Sequence, residues 1–92
     1  MKLFVWTGVL SGGMAVAIAD NRDQAVTAVI DAARTRLEAD LAADRPKVQD
    51  IAYWRGYIRQ DLNWIQSQLT RHEPAVYSQD TPAAWYSYGN ES

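Results

Sequence analysis

Apolar and polar positions follow a period of two along the start of the chain. Residues 3–10 carry apolar side chains on both faces of an extended segment, and residues 14–19 alternate large apolar side chains with alanine. This period predicts two β-strands joined by a tight turn at residues 11–13, where glycine tolerates positive φ angles. The alanine row leaves room for a close neighbour, so we expect that face to lie under a helix.

The same segment has a second interpretation, as a secretory signal peptide. Lys2 would supply the basic start, and Ala17-Ile18-Ala19 would supply the small-residue cleavage site. The Gly12-Gly13 pair interrupts the apolar run, which is unusual for a signal peptide. We therefore favour the hairpin. A secreted or periplasmic helical protein with residues 1–19 removed is the alternative.

A helical period follows in two segments. Asn21 and Gln24 resemble a capping box, and the apolar spacing beyond them predicts a helix over residues 22–43. A second helix is predicted over about residues 48–70, with a narrow apolar stripe that we expect to face inward. The members of this stripe are Ile51, Trp54, Ile58, Leu62, Ile65 and Leu69.

The end of the chain is predicted to return as a strand. Asp80-Thr81-Pro82 is a turn signal, and the aromatic run over residues 83–88 is typical of a strand. The predicted order is therefore β-β-α-α-β in a single domain of residues 1–92. This is an α+β two-layer fold, in which the helices cover one face of a small sheet.

Composition and charge narrow the range of functions. Nine basic and eleven acidic residues give a net charge of −2, which does not favour a nonspecific nucleic-acid binder. The absence of cysteine and the single His72 exclude disulfides and multi-histidine metal sites. No apolar run has the length of a membrane span, and no nucleophile–base set or phosphate-binding glycine motif is present. We expect no catalytic residue, no metal, no cofactor and no membrane association.

Three aromatic residues of the second predicted helix lie outside its apolar stripe. Tyr53, Tyr57 and Trp64 are four and seven residues apart, so they share one side of the helix. One interpretation is a helix wedged between its neighbours, with this side buried as well. The other is an exposed aromatic strip that contacts a partner protein.

Three acidic residues share one side of the first predicted helix. Asp23, Asp31 and Glu38 fall within a sector of about 80° at 100° per residue. A solvated face with salt bridges is the common outcome for such a row, and Arg34 lies within it. The alternative is a row of carboxylates that meets the basic surface of a nucleic-acid-binding protein.

Both ends of the chain resemble a group of small phage and prophage proteins. The segments that carry the resemblance are Lys2-Leu3-Phe4-Val5-Trp6, Gly13-Met14-Ala15-Val16-Ala17-Ile18-Ala19, Glu73-Pro74-Ala75-Val76-Tyr77 and Pro82-Ala83-Ala84-Trp85. Together they cover about half the chain. They are structural motifs, so the resemblance assigns no functional site to this chain. The hairpin turn is shorter here than in many of those proteins, and the helix over residues 48–70 is an addition.

The resemblance implies a protein that binds a host protein or ribonucleoprotein. Anti-CRISPR proteins are of this kind: they bind a Cas surveillance complex and block DNA binding or nuclease recruitment. The implied protein is a non-enzymatic inhibitor in the host cytoplasm that does not itself bind nucleic acid. The partner-binding candidates from the sequence are then Tyr53, Tyr57, Trp64, Asp23, Asp31 and Glu38. A homo-oligomer that buries the aromatic residues is a further alternative.

Overall fold

The described part of the protein is a small antiparallel sheet with helices on one face. A computed structural model describes residues 1–44, 47–80 and 84. Its elements are β1 (Lys2–Leu10), β2 (Gly13–Ala19), α1 (Arg22–Asp44), α2 (Val48–Arg71) and β3 (Ala75–Ser78). Within these residues the strands form one antiparallel sheet in the order β2-β1-β3. The predicted α+β fold and its β-β-α-α-β order are confirmed.

The third strand among the described residues, β3, is a segment that the sequence analysis did not assign to a strand. It follows Pro74 directly, and it pairs with β1 from Lys2–Ser78 to Val5–Ala75. Pro74 ends the helical region, and the residues after it include β-branched and aromatic side chains that suit a strand. The predicted strand over residues 83–88 lies outside the described residues, apart from Ala84.

The hairpin of β1 and β2 is confirmed, together with its turn. Leu10 pairs with Gly13, so Ser11 and Gly12 are the turn residues, with φ angles of 54° and 86°. Two consecutive positive φ angles are typical of a type I′ turn, whose twist matches that of the flanking strands. Gly8 has a φ of 72° where the register between the strands shifts, which indicates a β-bulge.

The strands divide their side chains between a buried face and an open face. On the buried face, Phe4 and Trp6 pair with Ala17 and Ala15, and all four are buried. The alanine row of β2 lies under α1, as expected, because a methyl side chain lets the helix approach closely. The other face, which we call the open face, carries Leu3, Val5, Thr7, Met14, Val16, Ile18, Ala75 and Tyr77. Removal of residues 1–19 would take away two of the three strands found in the described residues.

The start of α1 is capped by side chains that the sequence identifies. Asn21 Oδ1 accepts a hydrogen bond of 2.9 Å from the backbone N–H of Gln24. Gln24 Oε1 in turn accepts one of 3.2 Å from the backbone N–H of Asp20. This is a reciprocal cap in which the return bond reaches one residue further back than in the usual capping box.

The end of α2 is held by side chains from β1 and α1. Trp6 Nε1 donates hydrogen bonds to the carbonyl oxygens of Leu69 and His72, at 3.2 and 3.1 Å. Arg22 Nη2 donates to the same two oxygens at 3.3 and 2.9 Å, and to that of Thr70 at 2.9 Å. The last carbonyl groups of a helix have no partner within the helix, so these bonds satisfy them. The positive charge of Arg22 also lies at the negative end of the helix dipole.

The inward-facing stripe of α2 is confirmed only in part. Leu62 and Leu69 are buried, and the isoleucines of the stripe, Ile51, Ile58 and Ile65, are half-buried. Trp54 is 42% exposed, so its predicted inward orientation is wrong. At 100° per residue, Trp54 lies about 50° from the centre of the stripe, at its edge.

Neither helix in the described part of the chain combines the length and the apolar character that a membrane crossing requires.

Candidate protein-binding surface

The pair of helices is buried at one end only. The buried side chains of α1 are Ala25 and Ile30 near its start, and those of α2 are Leu62 and Leu69 near its end. Because α1 and α2 pack against each other as consecutive helices with a short connection, these positions lie at the same end of the pair, over the sheet. At the other end, the described residues of the second half of α1 and the first half of α2 include no buried side chain. We call this part the free end.

Three aromatic side chains pack together at the free end. The ring centroids of Tyr53 and Trp54 are 5.4 Å apart with an angle of 79° between the planes. Those of Trp54 and Tyr57 are 6.0 Å apart with an angle of 75°. These are edge-to-face contacts, which place the positive edge of one ring against the negative face of the next. We call the three residues the aromatic cluster.

The aromatic cluster is open to solvent. Tyr53, Trp54 and Tyr57 are 69%, 42% and 51% exposed. The wedged arrangement, with this side of the helix buried, therefore does not occur at Tyr53 and Tyr57. The cluster also differs from the sequence-based set, since Trp54 joins it from the edge of the apolar stripe.

Trp64 lies apart from the aromatic cluster. It is on the same side of α2 as Tyr57, but seven residues further along, which is about 10 Å at 1.5 Å per residue. Its side chain is 43% exposed, and it makes no ring contact with the cluster among the described residues. The three aromatic residues that the sequence analysis grouped are thus two members of one cluster and a separate tryptophan.

The acidic residues of α1 do not form a uniformly negative surface. Asp31 Oδ1 accepts a hydrogen bond of 3.0 Å from Arg34 Nη1, within an exposed ion pair. Glu38 lines a cavity of about 300 Å³ between α1 and α2 together with Arg55. Asp23 lines a second cavity between the same helices. Asp31 therefore fits the other interpretation of the acidic row, that of a solvated face with salt bridges.

The aromatic and acidic candidates lie on different sides of α2. The cavity beside Glu38 is lined by Arg55 and Arg59, which lie about 200° and 240° around the helix from Tyr53. The aromatic cluster therefore faces away from the cavity between the helices. A partner that covers the cluster would meet the carboxylates of α1 only at a distance.

The capping role of Arg22 is the main feature that sequence reasoning missed. A positive charge on the first residue of a helix opposes the helix dipole. This unfavourable placement is a signal that the side chain has a partner elsewhere, and in the structure that partner is the end of α2. Which helix end it would reach depends on the packing of α1 against α2, so the sequence could not name it.

Comparison with known proteins finds no matching family model, no significantly similar curated protein and no significantly similar solved structure. Among the described residues, no three His, Cys, Asp or Glu side chains are grouped so that they could hold a metal ion. The candidate surface is therefore defined by the exposure and geometry of this chain's own residues.

Proposed function

We propose that this protein acts without catalysis, by binding another protein through the aromatic cluster at the free end. The observation that carries the proposal is the exposure of Tyr53, Trp54 and Tyr57 as one packed group. Tyrosine and tryptophan are enriched in protein interfaces, and they dominate the residues whose truncation costs most affinity. The fold does not use this group to build its core.

The geometry of the cluster suits a binding surface. The three rings project from two consecutive turns of α2, and Trp54 contacts both tyrosines edge to face, so few side-chain rotations are lost on binding. The apolar rings can fill a shallow pocket, while the phenol groups and the indole N–H can bond to polar groups around it.

The partner that we propose is a host Cas surveillance complex, with the protein as a phage-encoded, anti-CRISPR-like inhibitor in the host cytoplasm. The support for this finer step is the resemblance of the first and last segments of the chain to small phage proteins. Inhibition would be steric: the bound helices would occupy the surface needed for DNA binding or nuclease recruitment. Asp23, Asp31 and Glu38 would add long-range attraction to the basic residues that surround such a surface.

The first experiment measures binding of Tyr53→Ala and Tyr57→Ala variants to purified Cas surveillance complexes from hosts of the phage group. Truncation of a hot-spot aromatic residue costs about 2 kcal/mol or more, so we expect the affinity to fall by about 30-fold. Gln60→Ala is the matched control, because Gln60 is an exposed residue of the same helix. Trp64→Ala, measured alongside, shows whether the isolated tryptophan belongs to the interface.

Circular dichroism melting accompanies each binding measurement. If the Tyr53 and Tyr57 variants remain folded and bind like the wild type, the aromatic cluster is not the binding surface. If Trp64→Ala unfolds the protein, Trp64 is a structural residue. If none of the Cas complexes binds the wild type, the anti-CRISPR assignment is wrong, and cross-linking from host lysate with mass identification tests the broader proposal.

The contribution of charge has a separate test. Asp31→Lys is expected to slow association with a basic partner, and high salt is expected to slow the wild type in the same way. Asp40→Lys is the control, because Asp40 also lies on α1 and is ion-paired, with Arg36 at 3.8 Å. Equal association rates for the wild type and Asp31→Lys at low salt would show that Asp31 does not contribute to the binding surface.

A further inference from the structure

The cavity between α1 and α2 beside Glu38 has a positively charged lining. Its volume is about 300 Å³, and it is lined by Arg34 from α1 and by Arg55 and Arg59 from α2. Three arginines and one glutamate give this lining a formal charge of +2. The whole chain carries a net charge of −2, so the cavity concentrates charge of the opposite sign.

Two of these arginines have no charged partner among the described residues. Arg34 pairs with Asp31 at 3.0 Å, so its charge is already balanced. In the part of the chain that the structure describes, Arg55 and Arg59 make neither an ion pair nor a hydrogen bond. Glu38 lines the same cavity without pairing with either of them. The α2 wall of the cavity therefore offers two guanidinium groups to a ligand.

Arg55 and Arg59 are placed to act on one group of a ligand. They are four residues apart in α2, so they lie one above the other with their Cβ atoms about 5–6 Å apart. A guanidinium group binds a phosphate through two parallel N–H donors. Asn63 and Gln66 line the cavity further along the same side of α2, where their amides add uncharged donors. This set of donors suits an oxyanion.

The rest of the cavity lining is apolar. Ile30 and Leu62 are buried, and Ile58 is half-buried. Small-molecule sites combine an apolar lining with a few polar groups that fix the orientation of the ligand, and this volume is at the lower end of their range. The cavity thus suits a small ligand with an apolar body and a charged end.

We propose that this cavity binds a small organic phosphate monoester, with the phosphate between Arg55 and Arg59 and the organic part against Ile58 and Leu62. A phosphate monoester carries a charge of about −1.5 to −2 at pH 7, which matches two unpaired guanidinium groups. A carboxylate carries a single charge and would balance only one of them. The match in charge therefore selects the monoester over singly charged ligands.

A nucleic-acid strand fits this cavity less well. Each phosphodiester carries one charge, and proteins that bind single strands also stack the bases on aromatic side chains. None of the described residues that line the cavity is aromatic, and the aromatic cluster faces away from it. The proposed site is thus separate from the aromatic cluster, and it goes beyond the proposed function without depending on it.

The carboxylate of Glu38 opposes a bound phosphate. It lines the same cavity, so it repels the ligand and competes for the nearest guanidinium group, that of Arg55. Removal of this charge is therefore expected to strengthen binding, whereas removal of an arginine is expected to weaken it. These opposite effects distinguish a specific site from general attraction to the protein surface.

The test is a titration of the full chain with phenyl phosphate at low salt, followed by NMR of the backbone amides. We expect a Kd of about 10⁻⁴ to 10⁻³ M, with the largest shifts in α2 over residues 55–66. Phenol and phenyl sulfate are the matched compounds with no charge and one charge, and both should bind at least tenfold more weakly. High salt should weaken the binding of phenyl phosphate.

Three variants test the assignment of the residues. Arg59→Gln should weaken binding at least tenfold, and Glu38→Gln should strengthen it about threefold. Arg36→Gln is the matched control, because Arg36 is an exposed arginine of α1 that does not line the cavity, and it should leave the affinity unchanged. Circular dichroism of each variant confirms that it is folded.

A second probe, a capped phosphotyrosine tripeptide, distinguishes the source of the phosphate. Tighter binding of phenyl phosphate supports a free small ligand, whereas tighter binding of the tripeptide assigns the phosphate to a protein side chain and overturns the small-molecule proposal. The absence of shifts in α2 with phenyl phosphate up to about 10 mM, ten times the weakest expected Kd, also overturns it. So does equal affinity of the wild type and a folded Arg59→Gln variant, or equal binding of phenol and phenyl phosphate.

Discussion

Trp6 and Arg22 donate hydrogen bonds to the same two backbone carbonyl groups, those of Leu69 and His72. Trp6 belongs to β1 and Arg22 is the first residue of α1, so the end of α2 is tied to both of the elements that precede it. The Trp6 indole is buried, whereas the Arg22 side chain is about one-third exposed and extends to Glu73 at 3.0 Å. The backbone at the end of α2 is therefore the place where β1, α1 and α2 are held together by hydrogen bonds.

We predict that Arg22→Ala lowers the free energy of unfolding by about 1–2 kcal/mol, because it removes charged hydrogen bonds and the favourable dipole interaction at the end of α2. The ion pair with exposed Glu73 adds little to this value. Urea denaturation measures the loss. Arg36→Ala is the control: Arg36 is 83% exposed, and its ion pair within the described residues is with exposed Asp40, so we expect a change below about 0.5 kcal/mol. Equal losses in the two variants would contradict the capping role.

Trp6→Phe and Arg22→Ala together should be more destabilising than the sum of the single variants. Each single variant leaves the carbonyl groups of Leu69 and His72 with the other donor, whereas the double variant leaves both without these donors. We expect an interaction energy of about 1 kcal/mol in a double-mutant cycle measured by urea denaturation. Strict additivity would show that the two side chains stabilise the helix end independently.

Leu62→Ala and Trp54→Ala should separate the buried part of the α2 stripe from its exposed edge. Leu62 is buried, so its truncation should cost about 2–4 kcal/mol, a large share of the stability of a domain this small. Trp54 is partly exposed and packs mainly on two tyrosines, so its truncation should cost less than about 1.5 kcal/mol. Chemical denaturation of both variants gives the comparison. A larger loss of stability for Trp54→Ala than for Leu62→Ala would show that Trp54 belongs to the core.

Ser11→Gly should stabilise the protein by about 0.5–1 kcal/mol. Ser11 has a φ of 54°, which costs an L-residue about 1 kcal/mol and costs glycine almost nothing. Ser67→Gly is the matched control, because the same substitution inside α2 should destabilise the helix by about 0.5 kcal/mol. Thermal melting of both variants shows whether each substitution raises or lowers the stability. Destabilisation by Ser11→Gly would show that the turn does not need its left-handed conformation.

The part of the fold that depends on local spacing could be predicted from the sequence. The hairpin, the cap at Asn21 and Gln24, and both helices lie within a residue or two of their predicted bounds. The candidate site could be predicted less well. The sequence identified an aromatic side on α2, but it assigned Trp54 to the core and grouped Trp64 with Tyr53 and Tyr57.

The sequence by itself determined which residues form β1, β2, α1 and α2, because the periods of 2 and 3.6 are properties of neighbouring residues. Only the tertiary structure decided which faces of those elements are covered. Trp54 is exposed because the free end of the helices lies beyond the buried core, and Met14 and Ile18 are exposed because both helices pack on the other face of the sheet. Coverage depends on where distant elements meet, as it does for Arg22 at the end of α2, and the spacing of residues along the chain does not carry that information.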